Sequence, residues 1–73
     1  MRVQVTLRGA LAGDGLPQRR MDVLLPWGAT VEHLMGHLSI SSEDVQMALI
    51  NGSPARRTTA LNSGDRVVLA GPH

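Results

Sequence analysis

The sequence predicts an α+β fold, a mixed sheet of four to five strands with one helix packed across one face. Three observations carry this. The chain opens with alternating apolar and polar residues, its middle holds a capped apolar stripe at helical spacing, and it closes on a continuous apolar run, Val67-Val68-Leu69-Ala70, behind a turn cluster. The 73 residues suffice for one domain, 1–73, since a chain this short buries only about 60% of the surface it exposes when unfolded. With no cysteine, neither a disulfide nor a thiolate metal site supports that core.

From Arg2 to Arg8, Val3, Val5 and Leu7 share one face and Arg2, Gln4, Thr6 and Arg8 the other, the pattern of a half-buried strand. Gly9 to Pro17 holds three glycines and a proline and reads as a loop longer than a tight hairpin turn. Arg20 to Leu25 then forms a second, antiparallel strand with Met21, Val23 and Leu25 inward and Leu24 outward. Pro26-Trp27-Gly28 stops it. Thr30 is a good N-cap, because its hydroxyl can accept from amides in the first helical turn. Val31, Leu34, Met35 and Leu38 follow at i, i+3, i+4 and i+7, and Gly36 inside that stripe costs about 1 kcal/mol relative to alanine.

After a polar connector from Ser39 to Asp44, Val45 to Ile50 runs into Asn51-Gly52, the dipeptide best suited to a two-residue hairpin. The partner strand, Ser53 to Arg56, is short, and Pro54 marks it as an edge. Arg57 to Gly64 is a polar loop in which Leu61 plugs the end of the core. The order strand, strand, helix, strand, short strand, strand is that of a β-grasp, in which the last strand lies centrally and pairs with the first.

The blocks L-L-P-W-G-A-T-V-E-H-L-M (Leu24 to Met35), A-L-I-N-G-S-P (Ala48 to Pro54) and L-N-S-G-D-R-V-V-L (Leu61 to Leu69) carry a family resemblance. In this order and spacing they resemble the ubiquitin-like sulfur carriers, which include the small subunit of molybdopterin synthase (MoaD) and the thiamine-biosynthesis carrier ThiS. The resemblance covers nearly the whole chain. It implies a non-enzymatic protein that docks on an adenylating or cofactor-biosynthesis enzyme. It also implies a tail ending in Gly-Gly, whose carboxylate the partner adenylates before it becomes a thiocarboxylate or an isopeptide. Here the sequence ends Gly71-Pro72-His73, without that pair. Three readings of that ending stand side by side: a longer native chain, a carrier-like protein that works by binding, and a fold reused for an unrelated interaction.

The expected partner surface is the sheet face turned away from the helix. With Val67 and Leu69 inward, Val68 and Ala70 face out, joined by Leu24 and by Met47 or Leu49 according to the register of the third strand. Arg2, Arg8, Arg20 and Arg66 rim this face, and Gly71, Pro72 and His73 extend from its end. A homodimer through the sheet face is the competing use of the same surface. Trp27 has two open readings, folded over the core edge or exposed as an interface anchor.

Other classes find little support. The formal charge is +1, the seven basic residues are scattered arginines, and Trp27 is the sole aromatic, so a nucleic-acid partner is not expected. No apolar run approaches a membrane span and the N-terminus enters a strand pattern directly, so a cytoplasmic protein with no membrane partner is the expectation. His33 and His37 share a helix face but no third ligand is placed beside them, so neither metal nor cofactor is assigned. No nucleophile or acid-base constellation points to catalysis by this chain alone.

Overall fold

The computed structural model describes residues 1–13 and 15–72. Its strands are β1 (Arg2–Arg8), β2 (Gln18–Leu24), β3 (Met47–Ile50), β4 (Ser53–Pro54) and β5 (Arg66–Ala70), with one α-helix, α1 (Val31–His37), between β2 and β3. The sheet order is β2-β1-β5-β3-β4. β1 and β5 are parallel and the other neighbours antiparallel, so the sheet is mixed, with β5 at its centre. Val3, Val5 and Leu7 of β1, Val23 of β2, and Val67 and Leu69 of β5 form the inner face. They join Val31, Leu34 and Met35 of α1, and Leu61, in one core. Burying apolar side chains of this size is worth about 1.5–3 kcal/mol each, which makes this face the main source of stability.

Local chemistry sets the helix ends. Thr30 Oγ1 accepts from the His33 amide at 3.3 Å and His33 Nδ1 accepts from the Thr30 amide at 3.0 Å, a reciprocal cap in which histidine takes the place usually held by Glu or Gln. The Val31 and Glu32 amides donate to the carbonyls of Thr59 and Arg57, at 3.0 and 2.8 Å, so the 57–60 loop closes the helix start. At the far end the Ile40 amide donates to Met35 and the Ser39 amide to Gly36, the paired bonds of a Schellman ending. Ser39 holds the left-handed position there, at φ 58°, where glycine is the usual residue.

One polar cluster, centred on the buried Asp65, ties the hairpin to the closing strand. Asn51 and Gly52, at φ 52° and 86°, make the two-residue turn between β3 and β4. Asn51 Nδ2 donates to Asp65 Oδ1 at 3.0 Å, Asn51 Oδ1 accepts from the Arg66 amide at 2.9 Å, and Asp65 Oδ2 accepts from the Asn62 amide at 2.7 Å. Asp65 is the one buried charged residue among those described, and both of its oxygens are engaged.

Several boundaries differ from expectation. β2 starts at Gln18, two residues early, because β1 is long enough to pair with it as far as Arg8. β3 starts at Met47 rather than Val45, since the Val45 amide is spent on a 3₁₀ turn, donating to Ser42. β4 stops at Pro54 rather than Arg56: the Arg56 amide donates to Thr59 Oγ1 and the Thr59 amide to the Arg56 carbonyl, a turn that takes the chain off the ladder. Leu38 caps α1 rather than extending it.

Two substitutions test the helix ends. Ser39→Gly, which relieves the left-handed conformation, and Gly36→Ala, where an added Cβ meets open space, are each expected to stabilise the protein by about 0.5–1 kcal/mol. Thermal denaturation reads this as a rise in midpoint of roughly 2–8 °C for each.

Candidate functional site

The strand registers determine what the outer face presents. Read across the sheet, one row is Arg20, Thr6, Val68, Leu49 and Pro54, and the next is Gln18, Arg8, Ala70 and Met47. Met47 and Leu49 therefore both face outward, beside Val68 and Ala70, while Ala48 and Ile50 turn toward the core. Met47 is 50% exposed, and Leu49, Val68 and Ala70 are half-buried. This is a continuous apolar patch with Arg8 beside Ala70, and with Arg66 one residue pair from Val68 along the sheet.

Leu24, expected in the same patch, stands apart from it. It pairs with Arg2 at the opposite corner, and two strand spacings and four residues of strand length put it roughly 16 Å from Val68. Arg2, Gln4 and Arg66 occupy the face between. Trp27, in the turn after β2, is 77% exposed and does not cover the core edge.

The end of the sheet beyond Ala70 adds Ala10, Leu16 and Pro17, which the sequence pattern did not single out, to Arg8, Met47 and Ala70. A cleft of about 710 Å³ lies there, lined by Arg8, Ala10, Leu16, Pro17, Met47 and Ala70 among others. Its far wall is the loop between β1 and β2, which begins with a 3₁₀ turn over Gly9–Ala12 that buries Ala12. The sequence signal for this wall is Leu16 ahead of Pro17 at the end of a stretch of glycine, alanine, Leu11 and Asp14. A smaller depression of about 420 Å³ sits between Arg20, Thr6, Val68 and Arg66 on the same face. Arginine side chains thus border both hollows.

Gly71 and Pro72, expected to lead away from this face, are held down instead. The Gly71 amide donates to the Arg8 carbonyl at 3.1 Å and the Ala10 amide to the Pro72 carbonyl at 2.6 Å. Gly71 is buried, and a Cβ on it would lie 2.9 Å from Leu11 Cγ and 3.0 Å from the Asp44 carbonyl oxygen. Gly9 faces it across the contact at φ +65°, with the Gly71 and Pro72 carbonyl oxygens where its Cβ would be. Two glycines are therefore required to bring these backbones together, and Gly71 offers no surface of its own. Pro72 is exposed, and His73 lies outside the described residues.

His33 and His37 remain on the exposed side of α1, and Nδ1 of His33 is occupied by the Thr30 amide. Among the described residues no three His, Asp or Glu side chains gather as a metal site. Among the described residues no helix is long and apolar enough to cross a membrane.

No family model matches the chain, and no curated protein matches it. Among solved structures it is similar to the crystal structure of SAMP1 from Haloferax volcanii. The TM-score is 0.71 and the identity 25%, over 100% of this chain and 97% of that one. A second crystal structure, of H. volcanii small archaeal modifier protein 1, gives a TM-score of 0.70 at 25% identity, over 99% and 98% of the two chains. These structural neighbours are ubiquitin-like β-grasp proteins of the sulfur-carrier type, and the fold of this chain is the ubiquitin-like β-grasp.

The packed glycines yield a direct test. Gly9→Ala is expected to lift Gly71 and Pro72 off the sheet, so that protection of the Gly71 amide against hydrogen exchange falls roughly tenfold or more. The amides of Val67 and Leu69 at the centre of β5 should keep theirs.

Proposed function

We propose that this chain is a sulfur-carrier-type protein of the MoaD/ThiS kind, docking through its outer sheet face and C-terminal segment on an adenylating or cofactor-biosynthesis enzyme. The observation that supports it best is the placement of the apolar patch. Met47 lies opposite Ala70, so the patch runs directly into the backbone that continues as Gly71 and Pro72. A partner gripping Val68, Leu49 and Met47 has the C-terminal segment within reach, and Arg8 and Arg66 bias that partner toward an acidic rim. SAMP1 is by name a modifier protein, and the shared fold over nearly all of both chains agrees with this reading.

In such a role the chain contributes no catalytic group. The adenylating partner would join the terminal carboxylate to AMP with loss of pyrophosphate, and a sulfur nucleophile would then displace AMP to leave a thiocarboxylate. What this chain supplies is the docking surface and the terminus. A cytoplasmic setting, where such enzymes and ATP meet, belongs to the same proposal.

A second reading is a β-grasp interaction module that is not conjugated. The anchoring of Gly71 and Pro72 to Gly9 and Ala10 favours it, because the described C-terminal residues are part of the folded domain rather than an extended tail.

Two measurements separate these readings. Incubation of the protein expressed from its native gene with ATP, sulfide and its host's adenylating enzyme should add about 16 Da to the intact mass, oxygen being replaced by sulfur. An unchanged mass removes the carrier chemistry and leaves the module. Val68→Glu should lower affinity for the adenylating enzyme at least tenfold, or about 1.4 kcal/mol, while the thermal midpoint stays nearly unchanged, since Val68 is on the outer face. A large fall in midpoint would show instead that the face is structural.

A further inference from the structure

We infer that β2 is a self-complementary edge, through which two copies of this chain pair in a two-fold antiparallel arrangement. Among the described residues no strand lies beyond β2, which is seven residues long and ends the sheet on that side. The opposite edge differs: β4 has two residues, one of them Pro54, and so offers little to pair with.

The hydrogen-bond pattern restricts the register. Met1 and Leu25 exchange both backbone bonds, at 2.7 and 2.9 Å. In an antiparallel ladder bonded pairs alternate, so Val23, Met21 and Arg19 also direct their N–H and C=O groups toward β1. The backbone groups of Gln18, Arg20, Asp22 and Leu24 then point to the open edge. A second β2 can bond there only by matching residues of this set with one another.

Charge chooses among the registers that remain. Centring the two-fold axis on Asp22 sets Asp22 against its own copy, and centring it on Arg20 sets two arginines face to face. Like charges directly opposite each other are destabilising. Centring it on Met21 instead pairs Arg20 of each copy with Asp22 of the other, and Gln18 with Leu24. Every bond-forming residue of the edge is then used, and the opposite charges meet on the outer face. Met21 meets its own copy on the helix side, at a position where the strands exchange no backbone bonds and side chains approach most closely.

The same register accounts for exposed apolar surface at both ends of β2. It sets the Pro26–Trp27 turn of one copy beside Leu16 and Pro17 of the other. Trp27 is 77% exposed, Leu24 66% and Leu16 48%, and all three fall along the proposed contact. The result is a ten-stranded sheet closed by an isologous interface, with the patch around Val68 and Met47 left free on each copy. The partner is thus a second copy of this chain, and the contact is independent of the sulfur-carrier reading.

Sedimentation of the full chain over a concentration series should show reversible dimerisation. Arg20→Asp and Asp22→Arg, each of which creates a like-charge pair, should weaken association at least tenfold, and the double variant R20D/D22R should restore it. Circular dichroism establishes that each variant is folded. The Met21→Cys variant supplies the chain's sole thiol, and oxidised glutathione should convert it to a disulfide-linked dimer. This arm decides the matter if the charge variants do not fold. A wild-type chain that stays monomeric to its solubility limit overturns the inference. So do single variants that associate like wild type, a folded double variant that does not recover, or a Met21→Cys chain that fails to cross-link.

Discussion

The fold depends on β5 having hydrogen-bonded neighbours on both sides. β1 lies parallel to it and β3 antiparallel, so β5 alone connects the β1–β2 hairpin to the β3–β4 hairpin. Two-stranded hairpins are marginal in water, and only the joined sheet gives α1 a continuous apolar face to pack on. The parallel pairing also has a topological consequence. Strands from the two ends of the chain run side by side in the same direction, so β5 ends where β1 ends and the loop to β2 begins. That is why the C-terminal segment, the cleft and Arg8 share one end of the molecule.

Each end of β5 is fixed by different chemistry. At its start, Asp65 and Asn51 exchange polar contacts with backbone amides, which holds the Asn51-Gly52 turn against the Asn62–Asp65 turn. Losing Asn51 would leave Oδ1 of the buried Asp65 without its partner, a loss of about 1–3 kcal/mol. At its finish, Gly71 and Gly9 let two backbones approach too closely for any side chain between them. The first device sets the register of the β3–β5 pair. The second holds Gly71 and Pro72 against the start of the β1–β2 loop, and so keeps them at the end of the sheet where Met47 and Ala70 pair.

The legible parts of the sequence were those encoded locally. Alternation marked β1, the Thr30 cap and its apolar stripe marked α1, Asn51-Gly52 marked a hairpin, and the continuous run at Val67 to Ala70 marked the central strand. Parity within the closing strand gave the outward placement of Val68 and Ala70, whereas for the third strand it left Met47 or Leu49 open, and the β3–β5 register turns both outward. Parity does not give position along the sheet. Leu24 has the right parity, yet it lies in another corner because β1 intervenes and the β1–β2 register carries it past the end of β5. The contact between Gly9 and Gly71 joins residues at opposite ends of the chain, and no local pattern marks a close approach of that kind. The role of His33 as a capping partner depends on its ring lying over the Thr30 amide, whereas its spacing from His37 suggested only a shared face.

The two sheet edges show how one fold treats the same liability in two ways. An unpaired strand offers a row of donors and acceptors to any extended chain, and β4 limits this by brevity and a proline. β2 is long because β1 is long, and β1 must be long to reach both β5 and the start of the loop that pins Gly71. Shortening β2 would remove partners from the odd-numbered face of β1, which carries Val3, Val5 and Leu7 of the core. Charge is the control that leaves the core intact, since Arg20 and Asp22 lie on the outer face. Two charges of opposite sign, one on either side of Met21, repel a second copy in the neighbouring registers and attract it in one. The pattern that guards the edge against indiscriminate pairing therefore also specifies a single symmetric partner, and the price of a longer core strand is met by selectivity.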